Sequence, residues 1–276
     1  MFKTHHRTLV RLLPYLFSLP TPAIAQCNGE IARAFYREVI RDRDLSAVPR
    51  LIADNYIQHS ANVADGREGV YAALERLNSA SKPQKDSPSP ILRTVCEGNL
   101  VVLFLGLSLP GMELAVVDLF RVADGKLAEH WEAVESIPAD NASAITGGTT
   151  EIDAAANYQD SKFVVRDFYT KVWLSDEPER IDAFVSASLT QHSADIEGGL
   201  VGLRRTILEQ KGFQPDKLHR VIAQGDFVAV QLEGHQNNVP FVAYDILRVE
   251  KRKIVEMWRV QQAVPSQLPH TNGMIQ

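Results

Sequence analysis

The sequence of 276 residues lacks the features that several large classes of protein need. It contains only two cysteines, so a disulfide-rich scaffold is excluded, and none of the cysteine and histidine spacings of a zinc site is present. Acidic residues outnumber basic ones, and the formal net charge of −5 argues against nucleic acid and anionic membranes as partners. No apolar run approaches the roughly 20 residues that are needed to cross a bilayer.

The first 25 residues contain no acid and have the three parts of a secretory signal peptide. These parts are basic residues, a short apolar run and a small-residue cleavage sequence: Lys3, Arg7 and Arg11, then 12–19, then Ala23-Ile24-Ala25. We therefore expect residues 1–25 to be removed, and the mature protein to be exported, either periplasmic or secreted, without a membrane anchor. The loss of three basic residues lowers the formal net charge to −8.

The two cysteines, Cys27 and Cys96, leave two interpretations open. In an oxidising compartment they could form a disulfide with each other. An unpaired Cys27 near the mature terminus and a buried Cys96 that packs as a small apolar residue fit the sequence equally well.

The chain contains the same series of motifs twice. The matching segments are FYREV at 35–39 and FYTKV at 168–172, YIQHSANVADGREGV at 56–70 and LTQHSADIEGGLVGL at 189–203, and DLFRVADGKLAEHWEAVESIP at 118–138 and DILRVEKRKIVEMWRVQQAVP at 245–265. This repeat predicts two domains of one fold, residues 26–138 and residues 158–276. The small, polar stretch 139–157 is interpreted as the linker between them.

Both domains have the same predicted order of elements, with helices first and strands afterwards. Helices are predicted at 30–41, 45–52 and 67–77, and again at 161–174, 179–185 and 200–210. Strands are predicted at 91–96, 99–107, 114–122 and 126–134, and again at 217–223, 227–234, 241–249 and 253–261. This order predicts an α+β fold in which N-terminal helices pack on a curved antiparallel sheet. Such a sheet encloses a cone, which side chains or a ligand must fill.

The repeated motifs resemble those of the SnoaL-like polyketide cyclases in the NTF2-like superfamily. The resemblance rests on a helix that bears a tyrosine, on a Gln-His motif that precedes a helix, and on a late hairpin motif at 118–121, 124–127 and 129–132. It covers nearly the whole mature chain, twice, and implies two cone-shaped domains. It does not name a substrate, because this fold hosts cyclases, isomerases, hydrolases, dehydratases and plain binding proteins.

Ketosteroid-isomerase-like enzymes share this layout, and their pocket positions fall on Tyr36, His59 and Asp118 of the first domain. Strand alternation places His130 and Glu132 on one face, and the resemblance implies that this face lines the cavity with Asp118 and His59. A histidine could then remove a proton from the carbon next to a carbonyl group. Tyr36 and a protonated carboxylic acid would donate hydrogen bonds to the enolate oxygen.

The second domain repeats the three positions and adds a histidine and an arginine of its own. Its pocket candidates are Tyr169, His192, His235, Asp245 and Arg259. Methionine and arginine, at 257 and 259, stand where the first domain has histidine and glutamate. We therefore expect the first domain to be the better candidate for catalysis. The second is expected to be degenerate or to bind an anionic ligand through Arg259.

Each candidate also has a purely structural interpretation. The tyrosines could end a helix face with the hydroxyl group in water, and the motif histidines could cap a turn. Asp118 would be satisfied by an ion pair with Arg93, without any catalysis. Trp131 and Trp258 are more typical of a core or an interface than of a substrate platform. No close-spaced metal motif accompanies the first pocket, so neither a metal nor another cofactor is expected.

Three functions remain open at the level of the sequence. The leading hypothesis is a cofactor-free cyclase, isomerase or lyase that performs general acid/base chemistry, meaning aldol cyclisation, isomerisation or dehydration, on a small hydrophobic carbonyl compound. The second is a noncatalytic binding protein with two apolar pockets for a small hydrophobic ligand. The third is a structural role, in which the two domains pack as an intramolecular pseudo-dimer; a homodimer of the chain is compatible with all three.

Overall fold

The structure, a computed structural model, describes residues 27–78, 82–83, 87–175 and 177–276, and the predicted signal peptide lies outside these residues. Its strands, β1 to β10, are Ile52–Gln58, Ile91–Glu97, Leu100–Leu109, Met112–Ala123, Lys126–Ile137, Val185–Gln191, Gln214–Gln224, Phe227–Gln236, Val239–Glu250 and Lys253–Ala263. Its helices, α1 to α6, are Gly29–Ala34, Val48–Leu51, Gly66–Asn78, Ala142–Thr146, Tyr158–Phe168 and Gly199–Glu209. None of the helices in the described residues is long and apolar enough to span a membrane.

The strands form two five-stranded sheets, ordered β1-β5-β4-β3-β2 and β6-β10-β9-β8-β7. Four strands of each sheet form the antiparallel meander that the sequence predicts. The remaining strand, β1 or β6, joins the edge of its sheet parallel to the last strand of the meander. The α+β fold class with two domains is therefore confirmed, and each sheet is mixed rather than purely antiparallel.

The edge strands β1 and β6 were missing from the prediction. In β1 the exposed residues Asp54 and Asn55 interrupt the apolar positions, so the sequence carries only a weak strand signal. Pairing with β5 supplies the hydrogen bonds that make this segment a strand, with Gln58 beside His130. Tertiary contacts, rather than local propensity, decide the structure here.

The first long helix of each domain ends in a π-helical turn. Helix α1 continues as Phe35–Arg41, and α5 continues as Tyr169–Trp173. The wider turn changes the direction in which its side chains leave the helix, and turns of this kind often occur at functional sites. Both helix tyrosines that the sequence singled out, Tyr36 and Tyr169, lie in these turns.

In the part of the chain that the structure describes, buried apolar residues form three clusters. One cluster lies between the helices and the sheet in each domain, and the third lies between the two sheets. Trp131 and Trp258, each 1% exposed, belong to the third cluster. The two sheets therefore pack against each other within one chain, and the two tryptophans are core residues of that contact.

Cys27 and Cys96 form a disulfide, with their Cα atoms 5.5 Å apart. The bond joins the start of α1 to β2 and settles which of the two interpretations of the cysteines holds. The backbone N–H of Cys96 also donates to Gln224 Oε1 at 2.9 Å, so this corner of the first domain contacts the second.

Candidate functional site

Four of the candidate residues of the first domain meet inside its cone. Asp118, on β4, is 1% exposed and accepts a hydrogen bond from the Tyr36 hydroxyl group. His130 Nε2, on β5, lies 3.1 Å from Asp118 Oδ1. Glu132 lies opposite Asp118 in the antiparallel pairing of β4 with β5. The predicted shared face of His130 and Glu132 is therefore the face that looks into the cone.

Two residues that the sequence reasoning missed hold this cluster in place. Gln58 Oε1 accepts from His130 Nδ1 at 3.0 Å and also from the backbone N–H groups of His59 and Ser60. The Ser60 hydroxyl group donates to Glu132 Oε1 at 2.6 Å. Both belong to the Gln-His-Ser motif, in which alternation from the buried Tyr56 would have placed Gln58 and Ser60 on the inner face.

The electrostatics of the cluster favour a proton on His130. Burial disfavours the charged ring, but the hydrogen bond to Asp118 and the charges of Asp118 and Glu132 outweigh it and raise the pKa of His130. Both ring nitrogens face acceptor oxygens, which agrees with a protonated ring. Burial, followed by repulsion from Asp118, raises the pKa of Glu132 above its usual range. Glu132 therefore holds a proton more readily than an exposed glutamate does.

The tyrosines of the cluster stay protonated. Burial and the charge of Asp118 raise the pKa of Tyr36 well above its usual value. Burial also raises the pKa of Tyr56, another buried hydroxyl group near Asp118 and Glu132. Both groups can therefore serve as hydrogen-bond donors in the cone.

The prediction that His59 shares the pocket with Asp118 is wrong. His59 points to the opposite face of the sheet, where its ring stacks on Trp131 with ring centres 4.8 Å apart. Its Nε2 lies 2.9 Å from Glu129 Oε1, and its Nδ1–H donates to the carbonyl of Gly273 at 2.9 Å. His59 directly follows Gln58 in an extended segment, so when one side chain enters the cone the other must leave it.

In the second domain, Tyr169, Asp245 and Arg259 meet in the same way. The Tyr169 hydroxyl group donates to Asp245 Oδ2, and Arg259 binds both oxygens of Asp245 at 2.7 and 2.6 Å. The guanidinium group lies over the rings of Trp173 and Phe213, 4.7 and 5.0 Å from their centres. Arg259 is thus already neutralised by Asp245, which does not favour the predicted anionic ligand.

The other two candidates of the second domain lie outside its cone. His192 repeats the arrangement of its counterpart, since it stacks on Trp258 at 4.8 Å and lies 2.9 Å from Glu256 Oε1. His235 is on the surface, 3.0 Å from Asp216 Oδ2. It sits next to the last residue of β8. Neither histidine contributes to an interior pocket.

Arg93 does not pair with Asp118, as the structural interpretation of that aspartate required. Its guanidinium group donates to the carbonyls of Thr146, Gly147 and Thr149, and lies 4.1 Å from the ring centre of Trp258. Asp118 is instead satisfied by Tyr36 and His130, inside the cone.

A cleft of about 850 Å³ opens beside the cone of the first domain. Tyr36 lines it, together with the apolar side chains of Ile40, Ile91 and Leu107. Because the Tyr36 hydroxyl group also bonds Asp118, this residue connects the cleft to the acid/base cluster.

The cluster also has the composition of a metal site. Asp118, His130 and Glu132 each offer one ligand atom, and these atoms lie within 4.8 Å of one another. All three already have hydrogen-bond partners in the protein, namely Tyr36, Gln58 and Ser60. A cation would have to displace the contact between His130 and Asp118.

The sequence model of the SnoaL-like domain family matches residues 32–130. These residues are similar to a SnoaL-like domain. The match includes Tyr36, Asp118 and His130 and ends two residues before Glu132, so most of the cluster lies on the family's own framework. The resemblance that the motifs predicted is confirmed, and the second sheet repeats the layout of the SnoaL-like domain.

Solved structures of similar fold each align with about one domain's length of the chain. A proposed ketosteroid isomerase from Kribbella flavida is 14% identical over 41% of this chain and 86% of its own, with a TM-score of 0.36. A proposed polyketide cyclase from Bacillus cereus is 22% identical over 41% and 83%, with a TM-score of 0.34. An epoxide hydrolase of the LEH-like type from Mycobacterium tuberculosis is 16% identical over 38% and 84%, with a TM-score of 0.33. No curated protein sequence matches significantly.

Proposed function

We propose that the SnoaL-like domain catalyses proton transfer on a small hydrophobic carbonyl compound without a cofactor. The observation that carries the proposal is the cluster of Tyr36, Asp118, His130 and Glu132, held inside a cone next to a cleft that apolar and basic side chains line. Acidic and basic groups whose pKa values are shifted and that lie next to a cleft are typical of acid/base catalysts.

The geometry supports Glu132 as the base, in place of the histidine that the sequence favoured. His130 has both ring nitrogens engaged by acceptors and is held in its protonated form. Glu132 is half-buried, and only its Oε1 is engaged, by Ser60. Its Oε2 makes no hydrogen bond within the described residues and is available to take a proton.

In the proposed reaction, Glu132 removes the proton from the carbon next to the substrate carbonyl, and the bonding electrons move to the carbonyl oxygen. The Tyr36 hydroxyl group turns from Asp118 to that oxygen and donates a hydrogen bond to the enolate. In a β,γ-unsaturated ketone, protonated Glu132 then returns the proton at the γ-carbon, which gives isomerisation. If the enolate carbon instead attacks a second carbonyl, the new alkoxide takes the proton from Glu132, which gives aldol closure. If a β-hydroxyl group is lost from the enolate, it takes the same proton and leaves as water, which gives dehydration.

Deuterium exchange tests the proposal without knowledge of the natural substrate. The protein in D₂O is mixed with a panel of aliphatic and aromatic methyl ketones and 1,3-diketones, and exchange at the acidic carbon is followed by NMR. We expect exchange with at least one compound, a loss of about a hundredfold or more in Glu132→Gln, and an unchanged rate in His235→Ala, a surface variant. Absence of protein-dependent exchange across the panel would refute the proposal.

A noncatalytic binding protein is the second candidate, and one observation favours it. Of the four cluster residues, only Tyr36 lines the cleft, so a ligand could fill the cleft without contact with Glu132. Native mass spectrometry separates the two functions. A co-purifying hydrophobic molecule that is retained by Glu132→Gln, together with no exchange chemistry, supports the binding protein.

We further propose that the chain is exported. The disulfide between Cys27 and Cys96 supports an oxidising compartment, because such bonds are rare in reducing cytosol. Sequencing of the mature terminus from the native host should give Gln26 as the first residue. A mature protein that begins at Met1 would contradict this.

A further inference from the structure

Each domain extends a segment from its last strand across the face of the other domain. The first arm is defined as residues 138–149, and the second arm as residues 264–276. The first arm accepts a hydrogen bond from Trp258 Nε1 at the Gly147 carbonyl, at 2.9 Å. The second accepts one from Trp131 Nε1 at the Gln276 carbonyl, at 3.2 Å. The two domains therefore exchange arms in a reciprocal manner.

The exchange extends to the motif histidines. His59 donates to the Gly273 carbonyl of the second arm at 2.9 Å, and His192 donates to the Ala144 carbonyl of the first arm at 2.6 Å. These histidines fasten the arms and do not enter the cones. The sequence motif that pointed to a catalytic histidine thus marks the place where one domain holds the arm of the other.

The second arm makes two contacts that the first arm lacks. His270 Nε2 donates to the carbonyl of Ser60 at 2.8 Å, and Asn272 Nδ2 donates to the carbonyl of Gln58 at 3.0 Å. The matching positions of the first arm hold Asn141 and Ser143. Within the described residues, neither side chain bonds the equivalent segment of the second domain.

The two carbonyls belong to the residues that hold the acid/base cluster. The side chain of Gln58 binds His130, and the side chain of Ser60 binds Glu132. This segment follows the edge strand β1, which has a strand neighbour on one side only. Without the arm, the backbone from Gln58 to Ser60 would lose the partners on its carbonyl groups and gain freedom to move.

We infer that His270 and Asn272 are positioning residues for the acid/base cluster of the first domain. They act through Gln58 and Ser60, whose side chains fix His130 and Glu132. Small shifts of catalytic groups cause large losses of rate, because productive geometry must hold within about half an ångström. The second domain is then needed for the activity of the first, although it supplies no group that touches the substrate. This inference rests on the proposed function for its kinetic part only.

The experiment compares His270→Ala combined with Asn272→Ala against the wild-type protein, by two independent measurements. The first is the NMR titration of the His130 ring in protein labelled at histidine, which needs no substrate. We expect the His130 resonances to move and their titration midpoint to fall, because a displaced Gln58 no longer accepts from Nδ1. The second is the ketone exchange rate, which should fall about tenfold or more in its maximal value, with the half-saturating ketone concentration little changed.

Three control variants keep the test specific. Thr271→Ala alters an exposed residue between the two positions and should leave both measurements unchanged. Trp258→Phe removes the hydrogen bond from Trp258 Nε1 to the first arm and loosens that arm to a similar degree. It should also leave the titration of His130 unchanged. His270→Gln can still donate a hydrogen bond, so it should change the His130 titration and the exchange rate less than His270→Ala does. Unfolding midpoints confirm that the variants remain folded, since Met274 and Ile275 still anchor the arm in the core.

The two proposals fail in different ways. If the wild-type protein shows no exchange but the His130 titration shifts in the double variant, the positioning role stands and the proposed function falls. If exchange occurs and the double variant changes neither its rate nor the His130 titration, the positioning role is overturned and the proposed function stands.

Discussion

The two domains share one scaffold and differ in what occupies it. In each, a tyrosine from a π-helical turn donates to an aspartate on the third strand of the meander, Tyr36 to Asp118 and Tyr169 to Asp245. In the first domain a histidine and a second carboxyl group join the aspartate, so two carboxyl groups share one basic side chain. In the second, Arg259 binds both oxygens of the aspartate and cancels its charge.

The entrances differ as well. Ile40 lines the open cleft of the first domain, whereas Trp173, at the matching helix position, lies under the guanidinium group of Arg259. The Arg259 side chain is fully buried together with that of Asp245, and Trp173 and Phe213 are buried beside it. The comparison teaches that a few substitutions on two elements replace a cluster of histidine and carboxyl groups with a buried ion pair without any change of fold.

The largest expected effect on stability comes from removing the buried guanidinium group of Arg259 from the second domain. Arg259→Met would leave Asp245 buried without a charged partner, which should lower the free energy of unfolding by about 3–5 kcal/mol. Urea denaturation followed by tryptophan fluorescence measures this. The double variant Arg259→Met with Asp245→Asn should recover most of the loss. Equal stability of the single variant and the wild type would show that the ion pair is not what fills this cone.

The next effect concerns Glu135, on β5, which reaches across to the second domain and accepts from the Gln261 backbone N–H at 3.0 Å. Burial raises the pKa of Glu135 from 4.5 to about 7. The folded protein thus binds this proton more tightly than the unfolded chain, and stability falls as pH rises from about 4.5 through about 7. Glu135→Gln should raise the free energy of unfolding by about 1–3 kcal/mol at pH 8 and change it little at pH 4.

The matching residue of the second domain provides the reverse test. Gln262 Oε1 accepts from the Val134 backbone N–H at 3.0 Å, the same contact from the other side. Gln262→Glu should introduce a loss of stability that grows with pH over the same range. Stability curves of the two variants that run parallel to that of the wild type would contradict the assignment.

A third prediction concerns a substitution that should fill the cleft of the first domain. Ile40→Trp places in the first domain the residue that fills the second, so it should weaken binding of a neutral apolar dye, Nile red, by about tenfold, or about 1.4 kcal/mol. Fluorescence titration gives the affinity. Val201→Trp, on an exposed face of α6, serves as the control and should bind as the wild type does. Unaltered affinity in Ile40→Trp would mean that the dye, and by extension a ligand, does not use the cleft.

The smallest effect tests the last hairpin of each domain. In the first, Asp124 and Gly125 adopt positive φ angles of 49° and 71°, which these residue types tolerate well. In the second, Lys251 and Arg252 adopt 46° and 63°. Lys251→Asn should therefore raise the free energy of unfolding by about 0.5–1 kcal/mol, and Asp124→Lys should lower it similarly. Thermal unfolding of both variants checks the pair, and a destabilised Lys251→Asn or a stabilised Asp124→Lys would refute the explanation.

Sequence reasoning predicted most of the fold because the duplication shows every pattern twice. Helices and meander strands agreed with the structure to within a few residues, while β1 and β6 did not, since their strand character comes from pairing. Of the first site, Tyr36, Asp118, His130 and Glu132 were brought together as expected. The prediction for His59 was wrong because a motif identifies a residue but not the face of the sheet to which its side chain points. Gln58 and Ser60 were missed because neutral side chains seldom indicate acid/base chemistry.

The exchange of arms has a consequence for the order of events during synthesis. Domains generally fold as they emerge, the N-terminal one first. The segment that packs on Trp131 and bonds the carbonyls of Gln58 and Ser60 is translated after both sheets. A nascent first domain can thus form its sheet and core well before the carbonyls of Gln58 and Ser60 meet their partners in the second arm.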